Sequence, residues 1–275
     1  MMKLSDYVMR FVAGQGVRHV FLVTGGGAMH LNASLAQCDG LEPVCNSHEQ
    51  ASAMAAESYA KATNNLGVAM VTTGPGGTNA VTGLAGAWLD STPVLFLSGQ
   101  VKRPDRMFAA DGTWLGMRQL GVQEVDIVSI VRPLTKYAVT VLDPSSIRYH
   151  LEKAAHLARI GRPGPVWIDI PLDVQAAPID ESSLPGFDAA EAPPAFDQAE
   201  LSVKVRETLE ALNRSGRPLV FVGNGVRLAR AEGELRKLVA LLEIPVAATW
   251  CAADIISSED PLFVCLLYTS DAADE

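Results

Sequence analysis

Short apolar runs alternate, over the first 175 residues, with longer segments in which apolar residues recur at helical spacing. The apolar runs predict strands at 19–23, 41–45, 66–72, 94–98, 137–141 and 166–170. The longer segments predict helices from about residue 4 to 14 and at 28–36, 49–63, 78–89, 125–131 and 145–160. Because strands and helices alternate and the strands are almost wholly apolar, the pattern predicts an α/β fold with a doubly wound parallel sheet.

The pattern stops at residue 176 and resumes at residue 198. Residues 176–197 are rich in proline and acidic residues with little periodicity, which predicts a linker on the outside of the protein. A second α/β unit follows, with helices predicted at 198–213 and 229–242 and strands at 219–222 and 245–249. We therefore predict a first domain at 1–175, a linker at 176–197 and the first part of a central domain at 198–265. Residues 266–275 do not extend this pattern, and we expect them to be a non-native tail.

Composition narrows the classes of function. The chain has 275 residues, a net charge of -9 and no cluster of Lys and Arg, which argues against nucleic acid and anionic membrane surfaces as partners. The four cysteines are scattered without metal-ligand spacing, so we predict neither a disulfide framework nor a metal site. No secretory signal and no membrane-spanning run is visible, and we expect a cytoplasmic protein that acts on a small molecule.

Two segments carry candidate chemistry. His48-Glu49-Gln50 places a carboxylate at the start of an alanine-rich helix, and 74–79 places a glycine turn after the next apolar strand. Glycines allow backbone to approach a ligand closely. The alternative for Glu49 is a first-turn acid that complements the helix dipole, with Ser47 as the cap. A zinc-protease helix is excluded, because H-E-x-x-H would need a histidine where Ser52 stands.

Several further segments occur in the same order as in one known family. They are 90–93 (Asp-Ser-Thr-Pro), 98–101 (Ser-Gly-Gln-Val), 123–126 (Gln-Glu-Val-Asp), and 161–165 continuing through 169–171. With the two segments above, they resemble the acetolactate synthase branch of the enzymes that depend on thiamine diphosphate (ThDP). The resemblance covers nearly the whole chain before the tail. It implies a pyrimidine-binding domain followed by part of a central domain, the N-terminal fragment of such an enzyme.

The resemblance also implies roles for individual residues. Glu49 would lie beside N1' of the aminopyrimidine of ThDP and promote loss of the proton at C2 of the thiazolium. Gln123 would face the cofactor and the bound intermediate. The glycine-turn residues implied to approach the aminopyrimidine are Gly74, Pro75, Gly76 and Asn79, and those implied to border the substrate pocket are Gly26 and Gly27. The implied reaction is decarboxylation of a 2-oxo acid such as pyruvate, followed by carboligation to a second carbonyl compound.

Further cofactors follow from the same resemblance. Some relatives carry FAD, and Arg162 with Gly223 and Gly225 would be a remnant of that site, although these residues also read as packing turns. In the family Mg²⁺ and the diphosphate are held by a Gly-Asp-Gly motif in a third domain, and that motif does not occur here. We therefore expect the chain alone to be inactive, and the whole protein to be a homodimer or homotetramer.

Two departures from the family pattern leave the substrate open. Val122 stands where a phenylalanine is usual, and Lys102-Arg103 where a proline is usual. Another ThDP-dependent decarboxylase or carboligase is therefore an alternative, as is a non-catalytic binding or scaffolding module of the same fold. A nicotinamide oxidoreductase is a weaker alternative, because Gly25-Gly26-Gly27 does not complete G-x-G-x-x-G: His30 occupies the last position.

Overall fold

The structure is a computed structural model that describes residues 1–109 and 111–267. The chain divides into two compact units, the first at Met1–Ala195 and the second starting at Phe196. Each unit has its own hydrophobic core.

The first unit contains strands and helices in regular alternation. Its strands are β1 (Met2–Lys3), β2 (His19–Leu22), β3 (Glu42–Cys45), β4 (Gly67–Val71), β5 (Val94–Gln100), β6 (Tyr137–Thr140), β7 (Val166–Pro171) and β8 (Pro178–Ile179). Its α-helices are α1 (Leu4–Gly14), α2 (Met29–Ala36), α3 (Glu49–Thr63), α4 (Pro75–Asn79), α5 (Val81–Leu89), α6 (Ile127–Val131), α7 (Ile147–Arg159) and α8 (Leu172–Gln175). The predicted helix at 78–89 is thus two helices, the first starting at Pro75, a residue favoured in the first helical turn.

Six of these strands form one parallel sheet in the order β3-β2-β4-β5-β7-β6. The central strands β4, β5 and β7 are buried along their whole length. Burial on both faces explains why these strands read as continuous apolar runs in the sequence. The prediction of a doubly wound α/β fold is confirmed.

Side chains of the central strands alternate between two cores. In β4, Val68 and Met70 pack with residues of α1, α2 and α7, whereas Ala69 and Val71 pack with residues of α3, α5 and α6. Helices α3 and α5 approach each other closely in the second core. A Cβ on Gly83 would lie only 2.5 Å from the Cβ of Ala53. Small residues on both helices therefore allow the close packing that holds α3 in place.

The first unit continues past the predicted domain end at 175. β8 pairs antiparallel with β1 through Met2 and Ile179, and both Ile179 and Leu184 are buried in the core. The first half of the predicted linker at 176–197 is therefore anchored to the unit. Two isolated apolar anchors in a proline-rich segment give no periodic signal, which is why the sequence pattern did not reveal them.

The second unit is a smaller parallel α/β layer. Its elements are α9 (Gln198–Arg214), β9 (Val220–Val222), α10 (Gly225–Leu228), α11 (Glu232–Leu242), β10 (Val246–Thr249) and β11 (Phe263–Leu267), with sheet order β11-β10-β9. Leu266 pairs with Ala248 and Leu267 with Thr249, so these two residues continue a strand although we expected them to begin a non-native tail. The remainder of that predicted tail, 268–275, lies outside the described residues.

Candidate functional site

Apart from Arg162, which precedes β7, the candidate residues of the first unit gather at the carboxyl end of the sheet. In open α/β sheets this edge is where ligands bind, because the loops that leave the strands meet there. Glu49 is the first residue of α3 and follows β3 by a short loop. His48 caps the helix: its backbone is extended and its Nδ1 accepts a hydrogen bond from the backbone N–H of Gln50 at 3.1 Å. The cap is thus His48, not Ser47, and Glu49 is fixed at the helix start.

Glu49 and Asn79 meet although 30 positions separate them. Nδ2 of Asn79 donates a hydrogen bond to Oε2 of Glu49 at 2.9 Å. Glu49 is partly buried and Asn79 is exposed. The bond occupies one carboxylate oxygen and leaves Oε1 directed at the glycine turn, where a Cβ on Gly76 would lie 3.4 Å from it.

The glycine turn is shaped by close backbone approach. Gly74 has φ +61° and ψ -115°, and a Cβ on it would lie 2.0 Å from the backbone carbonyl oxygen of Gln123. A Cβ on Gly76 would lie 2.7 Å from Cγ2 of Thr72. No other residue type fits at Gly74 without displacing Gln123. Pro75 starts α4 directly after the turn.

Gln123 is brought to the same place by a long loop. It has φ +61°, a left-handed conformation that is unusual for a residue with a side chain, and its side chain is exposed. The structure therefore unites Glu49, the 74–76 turn, Asn79 and the backbone of Gln123 at one corner, which we call the Glu49 corner.

The glycine turn after β2 adjoins this corner through Thr72, a residue that sequence reasoning missed. Oγ1 of Thr72 accepts a hydrogen bond from the N–H of Gly27 at 3.1 Å, while its Cγ2 is the atom that excludes a Cβ at Gly76. A Cβ on Gly27 would lie 1.9 Å from Oγ1 of Thr73, so this approach also requires glycine. Gly26 is exposed, and a Cβ there would meet none of the described atoms within 4 Å. The only sequence signal for Thr72 was its place between β4 and the glycine turn.

A second carboxylate lies at the same end of the sheet but inside it. Asp169 is 1% exposed; Ser98 Oγ donates to it at 2.6 Å, Thr140 Oγ1 at 3.1 Å and Gln100 Nε2 at 3.3 Å. Trp167 Nε1 donates in turn to Ser98 at 2.8 Å. Burial raises the pKa of Asp169 to about 6, and the three donors oppose that shift. We call this network the Asp169 cluster; the sequence blocks contained Asp169 but gave it no role.

The residues proposed for FAD have ordinary structural surroundings. Nε of Arg162 donates to Oγ of Ser91 at 2.6 Å in the first unit. Gly223 follows β9 and Gly225 begins α10 in the second unit, and a Cβ on either would meet none of the described atoms within 4 Å. FAD binding stays a prediction.

The described residues form neither a cluster of metal ligands nor a membrane-spanning helix. Within 1–109 and 111–267, no group of three or more His, Cys, Asp or Glu side chains is arranged to hold a metal ion. Over the same ranges, no helix combines the length and apolar character needed to cross a bilayer.

Comparison with known proteins gives consistent matches. The family model described as "Thiamine pyrophosphate enzyme, N-terminal TPP binding domain" matches residues 2–130, and the model of the central domain of the same enzymes matches residues 205–274. Thiamine pyrophosphate is the same compound as ThDP. The two matches fall in the two units found in the structure.

Curated relatives that match this chain are acetolactate synthases. Acetolactate synthase 1, chloroplastic, of Zea mays is 37% identical over 271 residues, which are 96% of this chain and 40% of that protein. Acetolactate synthase, chloroplastic, of Arabidopsis thaliana is 34% identical over 96% of this chain and 38% of its own length. The acetolactate synthase large subunit of Lactococcus lactis is 34% identical over 89% of this chain and 40% of its own length. The chain thus spans about two fifths of the length of the curated relatives it matches.

Proposed function

Since the chain belongs to the family of thiamine-pyrophosphate-dependent enzymes, we propose that the whole protein is a ThDP-dependent carboligase of the acetolactate synthase type. It decarboxylates a 2-oxo acid such as pyruvate and joins the remaining fragment to a second carbonyl compound. The observation that carries this proposal is the Glu49 corner, where a carboxylate with one oxygen already held by Asn79 faces a turn of glycines.

The residues at this corner fit the aminopyrimidine of ThDP. Glycine at position 76 keeps a side chain away from Oε1 of Glu49, because a Cβ there would lie 3.4 Å from that oxygen, so the carboxylate faces backbone along which a flat ring could lie. A carboxyl group suits a ring nitrogen, because it can share a proton with it. When bound, ThDP would supply a nucleophilic carbon and a sink for the electrons released in decarboxylation.

Each protein group has a separate task in this proposal. Glu49 holds or releases a proton at Oε1, since Oε2 is engaged by Asn79. Asn79 fixes the orientation of that carboxylate. The backbone of Gln123 touches the turn while its side chain is exposed, and this amide would face the cofactor and the bound intermediate.

The rest of the assembly belongs to the same proposal. Mg²⁺ and the diphosphate would be held by residues outside those described here, which offer no metal cluster. The whole protein would act as a homodimer or homotetramer, with FAD as a further candidate cofactor near Arg162. A cytoplasmic location stays a prediction.

The test is the substitution Glu49→Gln in the whole protein, loaded with ThDP and Mg²⁺. Glutamine keeps the shape and the contact with Asn79 but cannot exchange a proton, so we expect hydrogen–deuterium exchange at C2 of ThDP and CO2 release from pyruvate to fall by about 100-fold or more. The control is Glu42→Gln, an exposed glutamate of β3, which should leave both rates unchanged. An unchanged exchange rate in Glu49→Gln would contradict the proposal, and CO2 release from another 2-oxo acid but not from pyruvate would contradict the acetolactate assignment.

A further inference from the structure

The segment between β5 and α6 is a long excursion that leaves the sheet at Gln100 and returns at Val125. It contains Gln123, and apart from one short 3-10 turn at 103–105 and an isolated bridge between Phe108 and Trp114 its described residues form no regular element. A loop of this length in a compact domain needs specific anchors to hold one conformation. The anchor nearest to Gln123 is its neighbour Glu124.

Glu124 is a buried carboxylate that receives three backbone donors. It is 5% exposed; its Oε1 accepts a hydrogen bond from the N–H of Met107, and its Oε2 accepts from the N–H of Leu120 at 2.8 Å and of Gly121 at 3.2 Å. Met107 lies on the outgoing half of the excursion and Leu120 on the returning half. A single side chain therefore ties the two halves together, and charge-assisted bonds of this kind are the stronger ones.

Packing supports the same closure. A Cβ on Gly121 would lie 2.8 Å from the backbone oxygen of Asp105 and 2.8 Å from Cγ1 of Val101, so the returning chain presses directly on the outgoing chain. On the other side, Nε2 of Gln100 donates to the carbonyl oxygen of Val125 at 3.0 Å. The two residues that follow Gln123, Glu124 and Val125, are therefore both anchored.

These anchors determine where the backbone of Gln123 lies. The N–H of Glu124 donates to the carbonyl oxygen of Gly121 at 3.2 Å, closing a tight turn in which Gln123 adopts its positive φ. That turn brings the carbonyl oxygen of Gln123 against Gly74. Releasing the Glu124 carboxylate from its donors would remove the anchor that joins both halves of the excursion next to this turn.

We propose that Glu124 is a positioning residue, which holds Gln123 against Gly74 beside the Glu49 corner without touching the cofactor or substrate itself. The inference deepens the proposed function and rests on it for the part played by Gln123. Its structural half, the closure of the excursion by one carboxylate, stands on the contacts alone.

The structural half is tested by amide hydrogen exchange on Glu124→Ala and Glu124→Gln. We expect the amides of Met107, Leu120 and Gly121 to lose about tenfold or more of their protection in Glu124→Ala, because their acceptor is gone. Glu124→Gln should lie between, since an amide oxygen can accept from one side only. Amides of β4, β5 and β7 should keep their protection in both variants, and so should all of these amides in the control Asp105→Asn, an exposed carboxylate of the same excursion. Unchanged protection at 107, 120 and 121 would overturn the proposal.

The functional half is tested in the whole protein with ThDP and Mg²⁺. Because Glu124 does not touch Glu49, we expect Glu124→Ala to lower kcat for CO2 release by about tenfold while C2 exchange of ThDP stays within about twofold of the parent. In a Gln123→Ala background the second substitution should have no further effect, since both act on one group. A parallel loss of C2 exchange would indicate general disruption and overturn the positioning role, as would an additive effect in the double variant. Failure of the proposed function shows differently: the parent would then release no CO2 from any 2-oxo acid, while the exchange test on 107, 120 and 121 still decides the closure.

Discussion

Two carboxylates, Asp169 and Glu49, lie at the same end of one sheet but differ in burial and in hydrogen bonding. Asp169 is enclosed in the sheet with three side-chain donors, whereas Glu49 is partly buried with a donor from Asn79 on one oxygen. A carboxylate whose oxygens are already bonded inside a core is committed to the fold. One that keeps an oxygen directed at a turn of glycines is available for a ligand. Hydrogen bonding and burial, not residue type, thus separate the structural acid from the candidate catalytic acid.

Of the substitutions that distinguish the Glu49 corner from the Asp169 cluster, we expect Gly74→Ala to have the largest effect on stability. A methyl group there would overlap the carbonyl oxygen of Gln123 and force a side chain into φ +61°, ψ -115°. We expect a loss of about 3 kcal/mol in the free energy of unfolding, together with loss of ThDP binding by the whole protein. Urea denaturation and calorimetric titration with ThDP would measure the two.

A matched control for this prediction is Gly26→Ala, at an exposed turn where a Cβ meets no described atom. It should change the free energy of unfolding by less than about 1 kcal/mol. Equal stability of the Gly74 and Gly26 variants would show that the Glu49 corner is not built on backbone contact.

The second prediction concerns pH and the Asp169 cluster. Burial raises the pKa of Asp169 from 3.8 to about 6, so between these values the folded state binds more protons than the unfolded state. Stability contributed by this group is therefore complete below about pH 4 and is lost as the pH rises to about 6, a change on the order of 3 kcal/mol.

Asp169→Asn should remove that dependence, because asparagine cannot ionise. The measurement is the free energy of unfolding from pH 4 to pH 7 for the parent and the variant, compared as a difference so that other groups cancel. The slope of the difference should be confined to the window from about pH 4 to about pH 6. A difference that stays constant with pH would show that burial does not raise the pKa of Asp169.

The sequence predicted the Glu49 corner much better than the Asp169 cluster. Glu49 and the glycine turn were readable because each is local: a helix start and a strand-to-helix turn. Asp169 gained its setting only from register, since β5 and β6 place Ser98 and Thr140 opposite it on either side. The apolar runs predicted a parallel sheet, but no pattern along the chain predicts which strands become neighbours in it. Gln123 was identified by resemblance, and its contact with Gly74 depends on a loop whose anchors are side-chain bonds to distant backbone.

The start of α3 shows that a local pattern can predict where a helix begins without identifying which residue caps it. Ser47 and His48 precede the helix together, and serine is the more usual cap. The structure instead uses Nδ1 of His48 as the acceptor for the N–H of Gln50.

The smallest predicted effect tests that cap. His48→Ala should lower the free energy of unfolding by about 1 kcal/mol, because the first turn of α3 then has a donor without a partner. His48→Asn should restore most of the loss, since an asparagine oxygen can accept the same bond, and Ser47→Ala should have no measurable effect. Thermal or urea unfolding of the three variants at one pH measures the differences. If Ser47→Ala proves as costly as His48→Ala, the first turn of α3 is capped from the earlier position.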